Sequence, residues 1–88
     1  MKTKKIEDKN SIEYVIKDGF RVFRFVEYKE DIWEDGNKKN PKLIYKKGET
    51  DFFYLIQDPG FPLPFWSQIK NIETLKRAKE YVRKREYL

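Results

Sequence analysis

Arginines and aromatic rings alternate in Asp-Gly-Phe-Arg-Val-Phe-Arg-Phe, residues 18–25, a composition able to stack bases and grip phosphates. A second pointed group is Lys76, Arg77, Arg83 and Lys84, which fall on one side of a helical pattern near the C-terminus. A third is Gly-Phe-Pro-Leu-Pro-Phe-Trp, residues 60–66. Prolines hold it extended at low entropic cost, and Phe61, Phe65 and Trp66 are the residue types that anchor protein interfaces. The alternative use of those rings is to fold under and cap the open end of a sheet.

Catalysis has little to draw on. The 88 residues contain no histidine and no cysteine, which removes the usual general base, thiolate chemistry and the commonest metal ligands. Two serines and three threonines therefore have no histidine to activate them. Asp31, Asp35 and Gly36 match the first, fifth and glycine positions of an EF-hand loop, but Trp33 and Lys42 occupy its third and twelfth. The expectation is a non-enzyme with no metal and no cofactor.

A net charge of +5 and an isoelectric point near 9.4 point to a polyanionic partner and away from an acidic nucleic-acid mimic. The basic start of the chain leads into no hydrophobic region, and no apolar run approaches a membrane span. A cytoplasmic location and no membrane partner are the expectation. Fifteen lysines against five arginines, with a single alanine, suggest an AT-rich coding sequence such as that of a low-GC bacterium or its mobile elements.

The elements that must carry these groups follow from the patterning. One domain over 1–88 is expected, with residues 1–10 a flexible N-terminus. Aromatic residues make up 17% of the chain, and their large buried areas offset its shortage of aliphatic side chains. Period-2 alternation over residues 12–17 and 20–28 predicts a β-hairpin, with Asp18-Gly19 as a two-residue turn. Ile12, Tyr14, Ile16, Phe23 and Phe25 then share the more apolar face, while Glu13 faces Arg24 as a cross-strand ion pair. A polar connection follows, acidic at Glu27, Glu30, Asp31, Glu34 and Asp35 and basic at Lys38, Lys39 and Lys42, with a turn at Gly36-Asn37. Residues 42–47 and 51–57 read as further strands, the latter apolar on both faces and hence central. Residues 58–65 carry three prolines and cannot form an interior strand, and residues 66–69 return to an extended path. Thr74 is a good N-cap for a helix burying Leu75, Ala78 and Val82.

Residues 18–25 also resemble, in part, the longer conserved motif of RNA-recognition domains, with Gly19, Phe20 and Phe25 fitting it. Asp18, Arg21, Val22 and Phe23 depart from it, and the βαββαβ order of that family is absent, so a half-buried hairpin is the reading. The fold expected is α+β: a mainly antiparallel sheet of about four strands, N-terminal β-hairpin first, with one C-terminal α-helix packed on one face.

Two functions of different class fit these features. The first is a non-catalytic small binding module contacting nucleic acid through Lys76, Arg77, Arg83 and Lys84, with Arg24 on the exposed sheet face. The alternative is a protein-binding accessory or inhibitor of a phage or mobile element. It would act through the aromatic and proline loop 58–66, namely Phe61, Phe65 and Trp66, through the acidic loop, or through a sheet edge that would also permit a homodimer. Charge geometry separates the two. A continuous patch with Lys46 and Lys47 favours nucleic acid, whereas glutamates breaking that patch beside exposed aromatics favour a protein.

Overall fold

The turn after Asp18 sets the first half of the sheet. In the computed structural model, which describes residues 1–34 and 41–88, β2 (Ser11–Asp18) and β3 (Arg21–Tyr28) are joined by Gly19 and Phe20. Gly19 has φ +62° and Phe20 has a negative φ, the pattern of a type II′ turn. A type I′ turn at Asp18-Gly19 would have required a positive φ at Asp18 as well. The tip is thus one residue further on than the sequence pattern predicts. Ile16 lies opposite Phe23, Tyr14 opposite Phe25 and Val15 opposite Arg24, a displacement of two residues in the ladder. A slip of two keeps each side chain on its own face, because the strand period is two. The apolar face is therefore the expected one.

The sheet runs β1-β2-β3-β6-β7, antiparallel throughout, with β1 at Lys2–Glu7, β6 at Thr50–Ile56 and β7 at Phe65–Gln68. β6 is an interior strand, as its two apolar faces require, and β7 recovers the extended path after the prolines. The helix α1 (Leu75–Arg83) lies over the face that carries Ile16, Phe23, Phe25 and Phe52, and closes the core with Ala78 and Val82. Ala78 is fully buried, so its methyl group lets the helix backbone approach the rings closely. Phe23 is fully buried and contacts the rings of Phe52, Tyr54, Tyr81 and Tyr87 at centroid distances of 5.8, 4.9, 6.3 and 5.3 Å.

Both helix ends are chemically closed. The Thr74 hydroxyl accepts the Arg77 amide at 3.1 Å. At the other end Arg85 donates its N–H to the Val82 carbonyl, and Glu86 donates to that of Tyr81, at 3.1 and 3.0 Å. That pair of bonds is a Schellman motif. Arg85 fills the left-handed position, at φ +54°, where glycine is usual. The motif turns the chain back, so that Tyr87 lands against Phe23, Tyr54 and Tyr81.

Two features differ from the sequence expectation. The main sheet has five strands rather than about four, because residues 2–7 pair with β2 instead of fraying and residues 65–68 pair with β6. β1 is held by its backbone ladder and all six of its residues are exposed, so no apolar alternation announces it. The strand expected at 42–47 is β5 (Leu43–Tyr45), and it pairs with β4 (Ile32–Trp33) in a separate two-stranded sheet. Asp35, the Gly36-Asn37 turn, Lys38 and Lys39 lie outside the described residues.

Phe23→Ala is expected to cost about 3–5 kcal/mol, the range for emptying a buried aromatic site, read as a lowered urea midpoint with unchanged slope. Arg85→Gly is expected to gain about 1 kcal/mol in the same measurement, because it relieves the left-handed backbone of a side-chain-bearing residue.

Candidate interaction surface

Two of the four basic residues singled out at the C-terminal helix, Arg77 and Lys84, are matched by the chain's own acids. The Arg77 guanidinium donates to both carboxylate oxygens of Glu86, at 2.5 and 2.7 Å, and approaches Glu80 at 3.4 Å. Lys84 reaches the same Glu80 carboxylate at 3.4 Å. The Schellman turn brings Glu86 back along the helix to make this fork. Hydrogen bonding to Arg77 holds the Glu86 carboxyl below the usual carboxylate range and raises the Arg77 guanidinium above its own. Lys76 and Arg83 are exposed and make no ion pair among the described residues. Lys46 and Lys47 line a shallow groove with Glu49, Glu73 and Thr74, at the N-terminal end of a helix about 13 Å long, away from Arg83 and Lys84. Glutamates therefore interrupt the basic face.

Arg24 is also engaged within the protein. Its guanidinium lies over the rings of Phe53 and Trp66, 4.9 and 5.1 Å from their centroids, on the sheet face that α1 leaves open. Its buried Nε sits 3.2 Å from Glu13 Oε1, an ion pair by distance without the alignment of a hydrogen bond. The expected Glu13–Arg24 pairing is present as a diagonal contact, since the residue directly opposite Arg24 is Val15.

The loop after β6 and the first two residues of β7 present their rings outward. Asp58 organises the turn, accepting the Gly60 amide on its side chain at 2.8 Å and the Phe61 amide on its carbonyl at 3.0 Å. Phe61 and Phe65 meet edge to face at 5.6 Å. Phe61, Leu63, Phe65 and Trp66 are 59, 76, 43 and 39% exposed, so these side chains do not fold under the sheet. Phe20, at the hairpin tip, projects fully into solvent.

One polar cluster had no signal in the sequence. Asp51 is the one buried charged side chain among the described residues, and it accepts hydrogen bonds from the Tyr28 hydroxyl at 3.1 Å and the Gln68 amide at 2.9 Å. Tyr28 stacks on Tyr45 at 4.0 Å, which fastens the β4–β5 pair to the main sheet. The Asp31 carboxylate accepts the Lys47 amide at 2.8 Å and joins the residue before β4 to the chain just after β5. Part of the acidic loop thus serves the fold. These four cluster residues are separated by up to 40 positions in the chain, and only the meeting of β3, β5, β6 and β7 reveals them. No protein-family model, curated protein or solved structure matches the chain.

Burial, reinforced by hydrogen bonding with Tyr45 and Asp51, pushes the Tyr28 hydroxyl well above the ordinary tyrosine range. The folded protein consequently keeps a proton that the unfolded chain loses near pH 10. Stability from this group is complete below about pH 10 and falls as the pH rises above it. Tyr28→Phe should be less stable at neutral pH by about 1–3 kcal/mol, having left a buried carboxylate one donor short. It should also lose stability less steeply between pH 9 and 11, with urea midpoints across that range as the readout. Tyr81, raised chiefly by burial, keeps its own contribution in both proteins.

Proposed function

We propose that the protein is a non-catalytic binding module that recognises another protein through the aromatic loop at residues 61–66. The observation that carries this reading is the contrast between two surfaces. Arg77 and Lys84, two of the four cations singled out at the C-terminal helix, are paired with Glu80 and Glu86, while Phe61, Leu63, Phe65 and Trp66 remain exposed on a segment stiffened by proline. Exposed apolar groups of this size cost solvation in the free protein and are regained by burial in a partner. Proline limits the entropy lost when the loop is immobilised. Small size and lysine-rich composition fit an accessory or inhibitor protein of a phage or mobile element.

Nucleic-acid binding is the second reading, and the observation in its favour is that Lys76 and Arg83 stay exposed and outside the ion pairs of the helix. It retains the positive net charge as its driving force, with phosphate contacts dominating affinity.

The two readings separate on paired variants. With the tagged protein as bait in an extract of its source cells, the double variant Phe61→Ala/Leu63→Ala should lose a discrete partner, with affinity reduced roughly thirtyfold. Lys76→Glu/Arg83→Glu should retain it. The opposite result would reverse the assignment: nucleic acid held at near-physiological salt in an anisotropy titration, lost in the charge variant and kept in the loop variant. Both pairs of residues are on the surface, so unchanged unfolding midpoints are expected for all variants.

A further inference from the structure

We propose that β1 is an acceptor edge for an acidic, extended segment of a partner protein, which joins the sheet alongside it as an additional strand. This rests on the protein-binding reading but on a surface distinct from residues 61–66.

β1 ends the strand order, and no strand covers its outer side among the described residues. Its free backbone groups are therefore a template for another strand. The charges beside that template are arranged unusually. Lys2 lies directly opposite Lys17, and Lys4 and Lys5 lie opposite Val15 and Tyr14, so no acid faces any of the β1 lysines across the ladder. Lys2, Lys4, Lys5 and Lys17 form no ion pair among the described residues, in contrast to Arg77 and Lys84 on the helix. Like charges directly opposite destabilise a sheet, and an anionic group placed beside them relieves that repulsion. Lys2, Lys4 and Lys17 also surround Ile6 and Val15 in a groove of about 460 Å3 on the open face, a mainly apolar floor under a cationic rim.

A second copy of the chain fits this edge poorly. In a continuous sheet made by two-fold pairing, residues on the same face must meet. The registers centred on Lys4 and Lys5, which use most of the strand, place a lysine against its own copy. The lysines that refuse a second copy select an acidic strand.

The pleat specifies that strand's sequence. Opposite Lys2 and Lys4, on the open face, it needs acids, and opposite Ile6 an apolar residue. On the helix side it needs an acid opposite Lys5, a base opposite Glu7 and a small polar residue opposite Thr3. Read antiparallel to β1, the complementary peptide is Lys-Val-Glu-Glu-Thr-Glu.

The test is titration of that peptide, blocked at both ends and fluorescently labelled, into the full chain, with amide hydrogen exchange followed in parallel. Binding is expected, with at least tenfold slower exchange at β1 amides and at least tenfold weaker affinity for Lys2→Glu/Lys4→Glu. Replacing the peptide's first glutamate, opposite Lys5, by proline removes a ladder N–H, because Lys5 is one of the β1 residues whose backbone groups face outward, and should abolish binding. Three results would overturn the proposal: no binding, equal binding of the proline peptide, or equal binding of the charge-reversed peptide Glu-Val-Lys-Lys-Thr-Lys. Unfolding midpoints establish that the lysine variant is folded. Because the probe is synthetic, absence of peptide binding beside intact loop-dependent capture sinks the edge assignment alone. Peptide binding without loop-dependent capture sinks the loop assignment alone.

Discussion

The burial of Phe23 is the constraint around which the molecule is organised. Its ring is enclosed by Phe52 and Tyr54 from β6, Tyr81 from the helix and Tyr87 from the C-terminal turn. A small domain has few aliphatic side chains with which to exclude water, and clustered rings supply the missing area. The contributors come from three parts of the chain, so docking of the sheet, the helix and the terminus converges on one site. Tyr87 adds polar ties: its hydroxyl donates to Asp18 at 3.2 Å, and Arg21 lies over its ring at 4.8 Å.

Closure of that core has an electrostatic consequence at the surface. To place Tyr87, the chain reverses after Lys84 through a left-handed arginine, and the reversal carries Glu86 onto Arg77. A residue that reads as an exposed phosphate ligand becomes half of a forked ion pair. Arg24 is spent similarly, between Phe53, Trp66 and Glu13. The positive charge left without acidic neighbours across the ladder gathers on β1 and Lys17, at the opposite sheet edge from β7.

The sheet's two faces have different fates for the same reason. One is covered by α1 and holds the hydrophobic core. The other is covered at one end, where Tyr45 stacks on Tyr28 above the buried Asp51. Its remainder exposes Ile6 and Trp66, with partly exposed Val15 and Leu55 between them in the strand order. The exposed apolar surface is thus what remains after one short helix has covered all it can reach.

The amino-acid sequence by itself determined the hairpin and its buried face, the interior character of β6, the capped C-terminal helix and the break at the prolines. Each of these is written in local periodicity, turn chemistry or a missing N–H, which act over a few residues. Tertiary structure decided the exact hairpin tip, because Gly19 satisfies a type II′ turn as readily as the dipeptide suggests a type I′ one. It also decided the edge strand β1, whose ladder needs no apolar pattern, and the separate pairing of β5. The fate of individual charges was beyond sequence reading altogether. Whether Arg77 faces solvent or a carboxylate depends on where Glu86 returns, and that return is set by the packing of Tyr87 against Phe23, a contact between residues 64 positions apart.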